Sequence, residues 1–317
     1  MTFENIKITL TFCTYNRVER LDKLVTTIRK QETSATFDIL AVNNNSTDHT
    51  LKELERLSNL PGPKLRYVTE PVQGIVAARN RAIQECINAD IMIFIDDDEL
   101  PFPGLIESAA KSIFNNGAEC VGGKVELDFS KHNRPSWLRD ELLGFLAQID
   151  YGDKSFWIND IATPIWTANI AYDMSVFREN PELRFDHRYD RKGRIGGGGE
   201  DEAMFRTWVR QNRRIMYNPD MCVLHDVEPW RLNRSYFIKL HYRSGIRTAI
   251  NELPVYKRTF FGIPPFLIIQ FLKHCLKTIN MYITFNPKVL RQAMNASFSL
   301  GMINGYRTRL NNIKNNK

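Results

Sequence analysis

Apolar positions in the first third of the chain alternate between two spacings. Short runs of β-branched and aromatic residues occur at 6–12, 37–42, 64–70 and 91–95. Between these runs apolar residues recur three or four positions apart, as at Val18, Leu21, Leu24, Val25 and Ile28. The first spacing is typical of strands and the second of amphipathic helices. The pattern therefore predicts a βαβαβαβ order and a mostly parallel sheet with helices on both faces.

The pattern continues less regularly beyond the fourth predicted strand. A helix is predicted over about 104–115, and strands over 118–125 and 164–173. Between those strands, 126–160 contains tryptophan and shows weak periodicity, which indicates an irregular excursion over the surface. This excursion is expected to shape the site.

Two later stretches of the sequence differ in composition from the rest. The basic, glycine-rich stretch YDRKGRIGGGG precedes a predicted helix and is a candidate lid or hinge, because consecutive glycines do not fix a conformation by themselves. From about residue 233 the chain is helical and basic. The predicted organisation is therefore an α/β domain over 1–232 and a helical extension over 233–317.

Composition and charge narrow the possible functions only slightly. Hydrophobic residues make up 43% of the 317 residues and charged residues 25%, as in ordinary globular proteins. The formal net charge of +7 would suit nucleic acid, an anionic membrane surface or phosphorylated substrates. No nucleic-acid reader module is recognisable, so nucleic acid is not an expected partner. Five scattered cysteines without a CxxC pair favour reduced thiols.

The opening residues and the longest apolar stretch bear on where the protein resides in the cell. The opening MTFENIKITLTF has no basic secretory leader and passes directly into a predicted strand. No apolar run reaches the roughly 18 residues of a spanning helix. The longest apolar stretch, 260–285, is interrupted by Lys273, His274 and Lys277. We therefore expect a cytoplasmic protein.

Four acidic residues follow the fourth predicted strand in IMIFIDDDELP. In a parallel α/β sheet, ligands bind beyond the carboxyl ends of the strands. Adjacent carboxylates repel one another, and a hard divalent cation such as Mg²⁺ or Mn²⁺ resolves that repulsion while keeping positions for phosphate oxygens. An acidic turn that caps the next helix is the alternative explanation.

Seven segments, taken in order, resemble the family 2 glycosyltransferases. They are LTFCTYNRVERL, VNNNSTDHT, GIVAARNRAI, FIDDDELP, WTANIAYD, GGGGEDEAMF and YNPDMCVLHDVEPWR. The resemblance covers about 6–250. It implies a GT-A fold, with a Rossmann-like, mostly parallel sheet, and an enzyme that uses a nucleotide sugar with inversion at the anomeric carbon.

The resemblance also assigns the donor site. The positions that match donor-binding segments of the family are Thr14, Tyr15, Asn16, Arg17, Asn43, Asn44, Arg79, Asn80, Asp96 and Asp97. Asn43 and Asn44 stand where the family usually has an aspartate that contacts the base, which leaves the base open; a UDP-sugar is the expected donor. Arg231 is a candidate phosphate clamp.

Metal and catalytic roles follow from two further segments. Asp98 matches the metal-binding aspartate of the DxD motif, and His225 the histidine that approaches the metal or diphosphate, with Mn²⁺ or Mg²⁺ as the ion. Asp201, preceded by Glu200, matches the general base that takes the acceptor's proton. Two acids at a helix N-terminus are also explained by the helix dipole. Trp166 and Asn169 match the segment under the acceptor site.

The basic extension leaves two possibilities open. A segment that is apolar along one side and flanked by cations suits the headgroup layer of an anionic membrane, whereas a helical appendage packed on protein explains the same pattern. With membrane contact, the acceptor would be a saccharide or lipid-linked saccharide of surface glycan assembly at the inner face of the cell membrane.

Other classes fit the sequence less well. A haloacid-dehalogenase-type phosphatase carries DxD after its first strand, and a sugar nucleotidyltransferase carries a glycine-rich loop there; this chain has neither. A non-catalytic nucleotide-sugar binder or membrane scaffold would be expected to lose Asp98 or Asp201, and both are present.

Overall fold

A computed structural model describes residues 3–190 and 198–315, with side chains up to 311. The chain divides into two compact units. The first holds the chain up to Lys131 together with Leu146–Asp190 and Gly199–Asp226, and the second holds His132–Phe145 and the chain from Val227 onwards.

The first unit begins with the predicted alternation of strands and helices. Its elements are β1 (Lys7–Thr14), α1 (Val18–Arg29), β2 (Thr36–Asn43), α2 (Thr50–Ser58), β3 (Leu65–Thr69), α3 (Ile75–Glu85) and β4 (Ile91–Ile95). The strands lie in the order β3-β2-β1-β4 and all pair in parallel. Their carboxyl ends therefore lie along one edge of the sheet, where Asp96 follows β4.

The second half of the sheet mixes strand directions. Its elements are β5 (Glu99–Pro101), α4 (Leu105–Ala110), β6 (Cys120–Asp128), β7 (Phe156–Ile158), β8 (Asn169–Asp173), α5 (Met174–Glu179), α6 (Glu200–Arg210) and β9 (Ile215–Asp226). The order continues β4-β8-β6-β9-β5, and β7 pairs with β9. The pairs β4–β8, β6–β8, β5–β9 and β7–β9 are antiparallel, whereas β6–β9 is parallel. The sheet is thus mixed, and the predicted α/β class is confirmed.

The ladder between β6 and β9 contains a shift in register. Gly123 pairs with Asn218, but the next residue, Lys124, pairs with Cys222. A Cβ on Gly123 would stand 2.1 Å from the carbonyl oxygen of Met221, so only glycine fits there without rearrangement. The irregularity also accommodates Pro219, which cannot donate to a ladder. The last residues of β9 resume pairing beyond the shift and lead to His225.

The second unit is helical. It contains α7 (Arg234–Asn251), α8 (Pro265–Ile283) and α9 (Val289–Asn315). Three glycines bring α7 and α9 into backbone contact: a Cβ on Gly245 would lie 2.1 Å from the carbonyl oxygen of Phe298, and one on Gly301 would lie 2.1 Å from that of Tyr242. Gly305 stands one turn further along α9 and meets the Ile246 carbonyl in the same way.

In α8, the buried Leu267 and its neighbours pack against a small apolar cluster that includes Met302, Ile303 and Tyr306 of α9. None of the helices in the described part of the chain is both long and apolar enough to cross a membrane.

Candidate active site

The loop after β1 is tied to the loop after β2. Asn16 has φ of 51°, a left-handed conformation that asparagine tolerates better than most residues. Its side-chain oxygen accepts a hydrogen bond from the Thr47 backbone at 2.8 Å, and its own amide donates to Ser46 Oγ at 3.0 Å. Thr14 is buried at the end of β1, whereas the Tyr15 side chain is exposed. Arg17 is the N-cap residue just before α1, and its amide donates to Thr50 Oγ1.

Two buried asparagines hold the loops after β2 and β3. Asn44 donates to the carbonyl of Val72 at 2.7 Å and accepts from the amide of Gly74 at 2.8 Å. Asn43 donates to Thr69 Oγ1 and accepts from the amide of Ser46. Both side chains therefore bond to the protein's own loops in this structure. Their predicted contact with the donor base stays a prediction.

The acidic turn after β4 is built around Glu99, whose role the sequence did not reveal. Glu99 is 1% exposed, and its Oε2 accepts a hydrogen bond from the Asp96 amide at 2.8 Å, which closes the turn. Strands β5 and β9 place Glu99 opposite His225. As a result His225 Nδ1 lies 3.3 Å from Asp98 Oδ1 and 3.6 Å from Glu99 Oε1.

Burial and crowding shift the protonation of this cluster. Burial raises the pKa of Glu99 to about 8, although the hydrogen bond with His225 opposes the rise. Burial, with a contribution from Asp98, raises the pKa of Asp97 to about 7. For His225 burial lowers the pKa, but the hydrogen bonds with Asp98 and Glu99 outweigh it and raise the value to about 10. Burial thus favours the protonated forms of these crowded carboxyl groups, and a bound cation would favour their ionised forms instead.

Arg20 of α1 joins this cluster from the other side. Its Nη1 lies 3.4 Å from Asp98 Oδ2. Arg20, Asp97 and Asp98 line a cleft of about 260 Å³ together with Lys131 and Asp226, which pair at 2.9 Å. The lining of this cleft therefore carries both carboxylates and cations.

Arg79 connects the acidic turn with the start of α6. Its guanidinium lies 2.7 Å from Glu200 Oε1, 2.6 Å from Asp201 Oδ1 and 3.5 Å from Asp96 Oδ1. The side chain is 5% exposed and lies over the ring of Phe185. Burial alone lowers the pKa of Arg79, but the three carboxylates raise it above the ordinary value, so it remains a cation. The sequence predicted Arg79 near the diphosphate; in this structure it faces carboxylates.

Asp201 is positioned by two donors and by the helix that carries it. Thr167 Oγ1 donates to Asp201 Oδ1 at 2.5 Å, on the same oxygen that contacts Arg79. Gly199, in a left-handed conformation with φ of 90°, is the N-cap residue of α6. Glu200 and Asp201 therefore occupy the first turn of the helix. Negative charge is favourable there because of the helix dipole. Asp201 keeps 22% of its side chain exposed, whereas Glu200 is buried.

Three other predicted positions have mainly structural contacts. Asn80 exchanges two hydrogen bonds with the backbone of Phe185. Asn169 is fully buried, and its amide group donates to the carbonyls of Lys124 and Met221 at the register shift of β9. The amide nitrogen of Asn169 is thus engaged within the sheet, and its predicted place under the sugar-acceptor site stays a prediction. Trp166 is partly buried and packs against the core.

Two predicted features, the phosphate clamp and the glycine-rich lid, do not belong to the described part of the first unit. Arg231 belongs to the second unit, where it lies near Glu228 and over the ring of Trp230. Most of the predicted glycine-rich lid, residues 191–197, lies outside the described residues.

The acidic turn offers a partial set of ligands for a divalent ion. Within the described residues, no three or more histidine, cysteine, aspartate or glutamate side chains form a ready metal cage. Mg²⁺ and similar ions in phosphate-binding sites, however, often use one or two protein ligands and take their remaining oxygens from phosphate and water. Asp98 provides an oxygen donor, and the adjacent His225 would provide a nitrogen donor once a metal displaces its proton. These residues fit a metal that a diphosphate completes.

The family model of Glycosyl transferase family 2 matches residues 9–180, from β1 to the end of α5 and more than half of the chain. The chain belongs to glycosyl transferase family 2. The matched region contains the acidic turn, Arg79 and Thr167, but ends before Asp201 and His225.

Relatives and solved structures agree with this assignment. Glycosyltransferase AglE of Haloferax volcanii is 32% identical over 117 residues, a match that spans 36% of this chain and only 38% of that relative. TarS 1-349 of S. aureus, solved in complex with UDP-GlcNAc, has a TM-score of 0.56 at 14% identity and covers 98% of this chain and 93% of its own. The mannosyltransferase PcManGT of Pyrobaculum calidifontis, solved with GDP-Man and Mn²⁺, has a TM-score of 0.52 at 16% identity and covers 97% of this chain and 75% of its own. At these identities the likeness is one of fold, and the GT-A fold is confirmed.

Proposed function

We propose that the protein is an inverting glycosyltransferase that moves a sugar from a nucleotide-diphosphate donor, with a UDP-sugar as first choice, to a saccharide or lipid-linked saccharide acceptor. The observation that carries this proposal is the convergence on Arg79. Asp96 at the end of β4 and Asp201 at the start of α6 are far apart in sequence, and both contact its guanidinium. A donor-side carboxylate and a candidate base are thereby held together.

The proposed chemistry uses Asp201 as the general base. Asp201 takes the proton of the acceptor hydroxyl while that oxygen bonds to the anomeric carbon. The bond from this carbon to the diphosphate oxygen breaks at the same time, and the nucleoside diphosphate leaves from the opposite face. Thr167 and Arg79 hold the shared Asp201 oxygen, so the second oxygen is the one directed to the acceptor.

Asp98 and His225 are the proposed metal ligands. Mn²⁺ or Mg²⁺, if held there, would supply positive charge to a departing diphosphate. Glu99 fixes the turn that presents Asp98, and Arg20 holds the far oxygen of the same carboxylate. Support for a nucleotide-sugar donor also comes from the structures of similar fold, which contain UDP-GlcNAc or GDP-Man.

We place the reaction in surface glycan assembly at the cytoplasmic face of a membrane. The support is the basic composition of the helical extension, which suits an anionic surface. A lipid-linked acceptor would be presented at the same surface.

A donor screen tests the proposal. Nucleotide sugars are added to the full chain with Mn²⁺ or Mg²⁺, and melting temperature and slow donor hydrolysis are measured. We expect a UDP-sugar to raise the melting temperature in the presence of metal, because a ligand that binds only the folded state stabilises it. Excess chelator should remove most of the effect.

Two variants sharpen the result. Asp98→Asn should lose the metal-dependent stabilisation, whereas Asp153→Asn, an aspartate whose side chain is 96% exposed, should keep it. Equal stabilisation in chelator would contradict the metal site. Donor binding that is never followed by transfer or hydrolysis would favour the non-catalytic binder.

A further inference from the structure

Helix α8 exposes an apolar stripe to solvent. Of its 19 residues, all of them described, only Leu267 is buried. The stripe consists of Ile269, Leu272, Leu276, Ile279 and Ile283, all more than half exposed. Their spacing of three, four, three and four residues places them along one side of the helix. Leu267 and Phe271, which contact the apolar cluster with α9, face away from this side.

Exposed aromatic side chains stand at both ends of the stripe. Phe261 precedes α8 and is 84% exposed, and Phe285 follows it and is 92% exposed. Both have positive φ, 48° and 50°, which is uncommon for a bulky residue. Large apolar side chains left in water over such a length mark an interaction surface rather than ordinary scatter.

The charge around the stripe is of one sign. From residue 253 to the end, the sequence contains ten lysines and arginines and neither aspartate nor glutamate. Lys273 and Lys277 lie one turn apart on the exposed side of α8, beside the stripe. An apolar stripe bordered by lysines is complementary to an anionic lipid surface, where the chains accept the apolar side and the headgroups accept the cations.

We infer that the α8 stripe docks this protein on an anionic bilayer, with the helix lying in the headgroup layer. A second copy of the chain is a poorer partner, because pairing about this helix would bring two basic, acid-free surfaces together. The stripe also covers only about two heptads, short of the three or four that a stable coiled coil requires. The α8 stripe would be the surface that holds the protein at the membrane proposed above. Its binding to lipid does not depend on catalysis.

Vesicle sedimentation tests the inference with the full chain. The protein is mixed with vesicles of phosphatidylcholine alone or of phosphatidylcholine with phosphatidylglycerol. We expect binding to the anionic vesicles that weakens at high salt, and little binding to neutral ones. The double variant Leu272→Gln, Leu276→Gln should bind at least tenfold more weakly. Lys273→Gln with Lys277→Gln should lose most of the preference for anionic lipid.

A matched control uses leucines exposed in the first unit. Leu51→Gln with Leu60→Gln removes two leucines, 43% and 41% exposed, and should leave vesicle binding unchanged. Equal binding by the α8 variant and the wild type would overturn the inference. A wild-type protein that stays in solution with both kinds of vesicle would overturn it as well. So would light scattering that shows a dimer for the wild type and a monomer for the α8 variant. Donor hydrolysis without vesicles is measured on the same samples, so that loss of docking is separated from loss of activity.

Discussion

At the scale of single residues, the site depends on one buried guanidinium among three carboxylates. Removing one partner of a buried, hydrogen-bonded charge pair typically costs about 3–5 kcal/mol, because the remaining charge is left without compensation. Arg79 therefore holds the site together even before a substrate arrives. Its single positive charge faces three carboxyl groups, so acidic groups outnumber the cation at this contact.

The first prediction concerns the proposed base. Asp201→Asn keeps the shape of the side chain but removes its ability to take a proton. Transfer should fall by about 10²- to 10⁴-fold, the usual contribution of general base catalysis. Steady-state transfer kinetics measure the loss, and thermal shift with nucleotide checks that donor binding survives.

Glu202→Gln serves as the control for this variant. Glu202 lies in the same first turn of α6, but its carboxylate pairs with Arg206. It should transfer sugar at close to the wild-type rate. Normal rates for Asp201→Asn would show that another group is the base.

The second prediction concerns the hydroxyl that positions Asp201. Thr167→Val replaces a buried threonine by a side chain of the same shape that cannot donate. A hydrogen bond to a charged group is worth about 1.5–3 kcal/mol, so transfer should fall by roughly tenfold or more. Thr167→Ser retains the donor and should recover most of the rate. A valine variant with wild-type kcat and an unchanged pH profile would assign Thr167 a packing role only.

At the scale of elements, the second unit depends on close approach of α7 and α9. Gly301 and Gly305 form a small-xxx-small pattern along α9, and Gly245 faces them from α7. Glycine normally lowers helix stability by about 0.5–1 kcal/mol relative to alanine. Here that intrinsic cost is offset by backbone packing that no larger residue permits.

The third prediction follows from this contact. Gly301→Ala would bring a Cβ to 2.1 Å from the Tyr242 carbonyl, so α7 and α9 must separate. Overpacking of this kind costs typically about 1–3 kcal/mol. Chemical denaturation of the full chain should show the loss. Gly144→Ala, which meets no atom within 4 Å, is the matched control and should be neutral. A neutral Gly301→Ala would mean that the two backbones are not in contact.

The sequence predicted some elements and missed others for physical reasons. Strands β1–β4 and helices α1–α3 were recoverable because each has a local hydrophobic period. The pairing of Glu99 with His225 was not, since β5 has three residues and depends on a distant strand with a register shift. Thr167 and Arg20 gave no signal because a single polar residue acquires its role only from the fold. The individual roles of Asp98, Asp201 and His225 were assigned through motifs that resemble a family, and these roles stay predictions.

At the scale of the whole molecule, stability against acid has an identifiable contributor. His241 of α7 donates from Nδ1 to the Phe237 carbonyl and lies beside the ring of Phe145. Burial, with the nearby charge of Arg291, lowers its pKa from 6.5 to about 4. Between these two values the unfolded chain binds more protons than the folded one. Stability is therefore lost as the pH falls below about 6.5.

The fourth prediction uses this difference. Between pH 7 and pH 5 the wild type should lose more unfolding free energy than His241→Gln, which has no proton to bind. Denaturation at both pH values measures the difference. His49→Gln replaces an exposed histidine and should behave as the wild type does. Parallel losses in the wild type and His241→Gln would show that His241 does not contribute.

The hydrogen bonds of Asn44 have a consequence for engineering donor preference. A library aimed at exchanging one nucleobase for another would naturally randomise this position, because the family resemblance predicts a contact with the base there. Most substitutions there would release the loop that runs from Val72 to Gly74 before any new recognition could form. Tyr15, which follows β1 at the same edge of the sheet and has an exposed ring, is a better first position for substitution.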